Sequence, residues 1–194
     1  MMTPEEEKVE GRGLYEWVQA LVCSVLTAVL VFTFAVRVVG VSGGSMRSTL
    51  QSGDMLLVVN GLLCGDYRRG DIVIAAKSSF EYGEPIVKRV IAVEGETVDI
   101  DFDAGVVYVD GEALNEPYIR EATHLAEGTS FPLTVPEGCV FIMGDNRNDS
   151  RDSREPTLGA VDTRCLIGRA VFLLIPGQTV ETQEREWSRI GTLS

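Results

Sequence analysis

The chain has 194 residues, with 29 acidic against 17 basic side chains and a formal charge of −12. That length accommodates one membrane segment plus one globular domain of roughly 150 residues and excludes a second full domain. The negative balance argues against nucleic acid and anionic membrane surfaces as partners, and four cysteines (Cys23, Cys64, Cys139, Cys165) without a Cys-x-x-Cys pair argue against a zinc site or a disulfide framework.

Residues 1–16 carry five acids and two bases and read as a short polar tail without a fold of its own. Residues 17–36 run without a charge, and as a helix rising about 1.5 Å per residue they span about 30 Å, the thickness of a hydrocarbon core. A cleaved secretory signal has a basic start, a shorter apolar region and a small-x-small site. This stretch has an acidic start and continues into Val36-Arg37-Val38-Val39, so an uncleaved transmembrane anchor over residues 17–39 is expected, followed by one domain over 40–194. Lys8 and Arg12 before the anchor compete with Arg37 and Arg47 after it, so charge counting leaves the orientation open.

Beyond the anchor, short β-branched and aliphatic runs alternate with turn residues. Residues 55–59, 71–75, 85–93, 97–102, 106–109, 140–143 and 169–175 read as strands, with Asp103-Ala104-Gly105 and Asp110-Gly111 as hairpin turns. In residues 98–103 apolar side chains alternate with Asp99, Asp101 and Asp103, which predicts one buried and one solvated face rather than a metal site. The fold class expected is mainly β, antiparallel, behind one N-terminal transmembrane helix. Long loops are expected near 77–84 and 115–134, and a short helix near 185–190.

Directly after the anchor comes Val41-Ser42-Gly43-Gly44-Ser45-Met46-Arg47-Ser48-Thr49-Leu50. Two glycines before a serine permit close backbone approach, which makes Ser45 a candidate nucleophile; a Gly/Ser-rich hinge would read the same way. A serine hydroxyl needs a base. The single histidine, His124, lies in a polar loop with no feature that fixes its tautomer. Of three lysines, Lys8 precedes the anchor and Lys77 lies in a solvated loop. Lys88 stands on a strand whose own face carries Ile86, Val90 and Ala92, where burial would lower its pKa and free the amine to accept a proton. Arg89 is equally enclosed but stays charged. The loop Gly144-Asp145-Asn146-Arg147-Asn148-Asp149-Ser150-Arg151-Asp152-Ser153-Arg154 lacks the glycine and glutamate positions of a calcium loop, and its hydroxyls and ion pairs suit a brace that holds a neutral lysine. Asn148-Asp149-Ser150 also matches a glycosylation sequon, a signal that depends on the host.

Taken in order, these patches resemble the bacterial type I signal peptidases, membrane-anchored serine proteases with a Ser-Lys dyad. Residues 42–50 are similar to the nucleophile box, 70–73 to the following strand, 87–90 to the lysine box and 144–154 to the Gly-Asp-Asn-Arg box. The resemblance implies that Ser45 attacks, Lys88 is the general base and Ser150 hydrogen-bonds the lysine amine. It further implies that Asp152 pairs with Arg154, that Asp145 supports the loop, and that the Ser45 backbone N–H serves the oxyanion. Substrate contacts would fall on Gly43, Gly44, Met46, Ile86 and Val87, no metal or cofactor is required, and the partners would be secretory preproteins and the lipid bilayer. A signal ending in small-x-small would bind as an added strand, with the tail cytoplasmic and the catalytic domain extracytoplasmic. Two positions depart from the family: Ser48 replaces the usual Pro, which is expected to loosen the turn. Gly43 stands where some members carry an oxyanion-binding serine, leaving backbone donors or Ser42. A self-cleaving Ser-Lys repressor protease shares the dyad but not the anchor. A tethered β domain that binds exported peptides without cutting them shares the anchor but has no need of Ser45, Lys88 and Ser150 together.

Overall fold

The computed structural model describes residues 4–179 and 184–193. The chain divides into two units, residues 1–37 and 38–194. The first is built on helix α1 (Pro4–Leu30), which widens into a π-helical turn over Val31–Ala35. The expected structureless tail is therefore helical from Pro4 onward. Proline suits the first helical position because no intrahelical acceptor awaits its missing N–H. The segment Tyr15–Ala35 is long and apolar enough to cross a membrane. At its other end the anchor expected over 17–39 is cut short, because Val36–Gly40 is extended as β1. Val36, Val38 and Val39 are β-branched, which favours that change.

The second unit contains two antiparallel sheets. In the larger, the path is β1, β2 (Met55–Asn60), β11 (Leu166–Ile175), β3 (Ile72–Ala75), β4 (Ile86–Val93), β9 (Cys139–Met143) and β10 (Val161–Asp162), with β12 (Gly191–Thr192) also on β11. The smaller runs β7 (Glu112–Ala113), β6 (Val106–Val109), β5 (Thr97–Asp101) and β8 (Leu133–Thr134). Asp103-Ala104-Gly105 joins the two strands foreseen for it, Asp110-Gly111 joins β6 to the unforeseen β7, and Val98 and Ile100 are buried while Asp99 and Asp101 face solvent. Two-residue strands such as β7, β8, β10 and β12 carry too little pattern to be read in sequence. The expected helix near 185–190 is a single 3₁₀ turn, Trp187–Arg189.

β3 is buried on both faces. Ile72 and Ile74 join a core with Met46, Leu50, Leu56 and Val58, whereas Val73 and Ala75 join another with Phe80, Val90, Ile142 and Leu158. A third core, around Phe141, Val98 and Val107, lies between the two sheets. β4 bridges the second and third cores through a bulge: Val90 pairs with Ile142, but Ala92 pairs with Phe141. The extra residue turns Ala92 into the third core, so Ala92 does not share the face of Lys88 as strict alternation had suggested. Ile86 and Val90 do.

Candidate active site

Three segments distant in sequence converge at the end of β4. The first is the turn after β1. The Val41 N–H donates to the Asp54 carbonyl and the Leu50 N–H to the Met46 carbonyl, each at 2.8 Å. Met46 is 2% exposed and Leu50 1%, so both drop into the first core and hold the turn from below. Gly43 has φ 93, a left-handed conformation that a side chain would resist, and this reversal precedes Ser45.

Lys88 comes from β4, opposite Val73 and only 3% exposed. Its Nζ lies 2.6 Å from Ser45 Oγ. Burial lowers its pKa to about 8, overcoming the carboxylates of Asp152 and Glu127, which hold the proton on. An amine so placed is partly neutral near neutral pH, and a neutral amine is able to accept a proton from a hydroxyl.

The loop after β9 closes the third side. One step past the Arg89–Met143 pair, the β4–β9 register sets Gly144 beside Lys88. A Cβ on Gly144 would lie 2.2 Å from Ser150 Oγ and 2.4 Å from the Ser45 carbonyl oxygen, so the bare glycine lets both serines close on one point. The Asn146 N–H donates to the Ser45 carbonyl at 2.9 Å, and Asn146 Nδ2 donates to the Gly44 carbonyl at 3.0 Å. Arg154 donates to Asp152 through Nε and Nη2, both at 2.8 Å. The Gly144 N–H adds a third bond to Asp152 at 3.0 Å. Arg89 forks onto both oxygens of Asp145 at 2.9 Å, and Thr49 Oγ1 donates to the same carboxylate at 2.5 Å. Among the described residues no acceptor takes the Ser45 N–H. Ser45, Lys88 and Ser150 line an open cleft of about 540 Å³. A separate cavity of about 640 Å³, beside Tyr67 and Cys139, contains neither Ser45 nor Lys88.

The family described as "Signal peptidase, peptidase S26" matches residues 14–184. The chain belongs to this peptidase family. It is 37% identical to a signal peptidase I of Bacillus licheniformis, covering 90% of this chain and 96% of the relative. It is 36% identical to signal peptidase I T of Bacillus subtilis (strain 168), covering 90% and 92% respectively. A solved signal peptidase I from Enterococcus faecalis V583 is 32% identical, covers 54% of this chain and 96% of its own, and superposes with a TM-score of 0.44.

Within this S26 chain the expected residues divide by position. Ser45, Lys88, Ser150, Gly43, Gly44 and Ile86 line the cleft. Asp152, Arg154 and Asp145 lie behind it, fully buried. Three expectations are corrected. The Ser150 hydroxyl donates to Asp152 Oδ2 at 2.9 Å rather than bonding to the lysine amine, because the carboxylate is the stronger acceptor. Met46 and Val87 pack on the first core instead of the cleft: Met46 anchors the turn, and Val87 alternates away from Ile86 and Lys88. Ser48 does not loosen its turn, since its hydroxyl donates to the Tyr118 carbonyl at 2.5 Å.

His124 is tied elsewhere: its Nδ1 meets the Phe102 carbonyl at 2.9 Å, which fixes the tautomer that no sequence feature had fixed. Sequence reasoning missed Asn146, Glu127 and Phe80. Asn146 carried a signal as a side-chain amide in a tight turn after a strand. Glu127 and Phe80 carried none, because loops bring them to the cleft.

Proposed function

We propose that this chain is a membrane-anchored serine endopeptidase that removes N-terminal signal peptides from exported preproteins after a small-x-small motif, with Ser45 as nucleophile and Lys88 as general base. The observation that carries this reading is the 2.6 Å contact between the buried Lys88 amine and the Ser45 hydroxyl in a chain of the S26 family. Neutral Lys88 takes the Ser45 proton as Oγ attacks the scissile carbonyl. Charge develops on the carbonyl oxygen, and the Ser45 N–H donates to it, a contribution typically worth about 3 kcal/mol per donor. The Lys88 ammonium then protonates the leaving amine, which frees the mature protein and leaves the signal peptide esterified to Ser45. Lys88, neutral again, takes a proton from water as that water attacks the ester, then gives it to Ser45 Oγ as the ester bond breaks, which releases the signal peptide with a free carboxyl terminus and returns the site to its starting state.

The preprotein backbone lies along the cleft between the Gly43–Ser45 turn and Ile86, as an added strand with small side chains facing the walls. The segment Tyr15–Ala35 crosses the bilayer, with the N-terminus cytoplasmic and residues 40–194 extracytoplasmic. Detergent-solubilised protein, incubated with a preprotein whose signal ends in Ala-x-Ala, is expected to cut after that motif, the position being read by mass spectrometry. The Ser45→Ala form is expected to leave it whole. Binding without cleavage by both forms would replace the enzyme reading with a peptide-binding one.

A further inference from the structure

Beside the dyad stands a carboxylate to which the steps above assign no part. Glu127 lies in the loop between β7 and β8, its side chain 11% exposed, and lines the same cleft as Lys88 and Ser150. Its loop is tied to Arg154 on both flanks. Arg154 Nη1 donates to the Leu125 carbonyl at 2.8 Å, and the Thr129 N–H donates to the Arg154 carbonyl at 2.9 Å. Between these ties, Glu127 Oε2 accepts from the Asp152 N–H at 3.3 Å and sits 3.8 Å from Arg154 Nε.

The charges of this enclosed cluster can be counted. Asp145 on the following loop belongs to Arg89, which leaves β4 on the face opposite Lys88. Arg151 and Glu155 pair with each other at the surface, and Arg151 also reaches Glu81 across the cleft. Glu84 and Asp149 also line the cleft but are exposed to water, which leaves two enclosed carboxylates, Asp152 and Glu127, against one guanidinium, Arg154, and the Lys88 amine. Asp152 receives two guanidinium bonds and one backbone N–H bond from Arg154, one bond from Ser150 and one from Gly144, so its charge is matched. Glu127 has one long bond and a distant guanidinium. Glu127 is the less well matched of the two carboxylates, and across the cleft they share its charge favours the protonated form of Lys88.

Building on the Ser45–Lys88 reading, we propose that Glu127 is a positioning residue for the dyad: its carboxylate retains the proton on Lys88 and so sets the pH at which the base is released. Burial and the neighbouring Asp152 raise Glu127 to about 7, and burial lowers Lys88 to about 8. Where Glu127 is ionised, Lys88 loses its proton against that charge. Without the charge, Lys88 becomes neutral at lower pH.

The test uses full-length wild type, Glu127→Gln, Glu127→Ala and Glu127→Asp in detergent, with kcat/KM on the Ala-x-Ala preprotein followed over about pH 6 to 10. Each profile is normalised to its own plateau, so partial loss of folded protein lowers the plateau without moving the midpoint. The Gln and Ala variants are expected to rise about 0.5–1 pH unit earlier than wild type, and the Asp variant to keep the wild-type midpoint. A purely structural role predicts a lower plateau at an unmoved midpoint. Midpoints of Gln and Ala equal to or above wild type overturn the proposal and leave the dyad standing. A wild type with no rising limb, or a limb that survives in Lys88→Ala, overturns the dyad and this inference with it.

Discussion

Burial of Lys88 against Val73, Ile86 and Val90 disfavours its ammonium and lowers its pKa to about 8, which sets both a rate and a stability expectation. Cleavage should climb as pH rises through about 8, and Lys88→Ala should lose it by several orders of magnitude; a profile flat from neutral to alkaline pH counts against a lysine base. The sign for stability follows from proton counts. Between the folded pKa and the higher unfolded one, the unfolded chain binds more protons, so stability rises with pH across that window and the cost is full below it. Lys88→Met removes a cost on the order of 3 kcal/mol at neutral pH. The variant should therefore exceed wild type in denaturant midpoint near neutral pH, and the gap should narrow toward about pH 10. A gap independent of pH would show that packing alone differs. Ser48, at φ 95, occupies a conformation closed to proline, whose φ is held near −65°. Ser48→Pro should cost roughly 1–3 kcal/mol and lower activity through the displaced turn, although proline is the residue the family usually carries there. An unchanged melting temperature would contradict that backbone geometry.

Among the elements, the loop 144–154 does the most to assemble the site. It bonds to the Ser45 and Gly44 carbonyls through Asn146, to Asp152 through Gly144 and Arg154, and to Arg89 through Asp145. Because Ser150 Oγ and the Ser45 carbonyl both crowd the position a Cβ would take, Gly144→Ala should push the two serines apart. A displacement near 1 Å costs about 100-fold in rate, so kcat should fall at least that far while circular dichroism stays that of the wild type. Activity within a few-fold of wild type would show that the loop can retreat. Asp152→Ala leaves Arg154 charged and enclosed without its two-pronged partner, which is expected to cost about 3–5 kcal/mol. Its signature is a fall in melting temperature that Asp152→Asn only partly reverses, since the amide accepts hydrogen bonds but carries no charge.

For the whole molecule, the proposed anchoring of so acidic a chain rests on apolar length rather than charge. Full-length protein should remain with vesicles through high salt and alkaline washing, whereas a form lacking residues 1–37 should wash free. Release of the full chain by salt would mean that the helix does not insert. Much of this was legible in sequence because the signals are local. Twenty uncharged residues mark a spanning helix, seven of the strands announce themselves by alternation or apolar runs, and Lys88 follows from elimination among three lysines. Local pattern misplaced the ends: Pro4 starts a helix where a tail was expected, Val36 starts a strand inside the expected anchor, and the bulge after Val90 turns Ala92 to the other core. The site's identity and its geometry therefore had different origins. Residue chemistry along the chain marked the long apolar helix, the β class and the Ser45 and Lys88 positions. Only tertiary packing decided that Asn146 bonds the Ser45 carbonyl, that Met46 belongs to the core and that Glu127 faces Lys88's cleft, because each depends on contacts between residues far apart in the chain, whose energies no local pattern records.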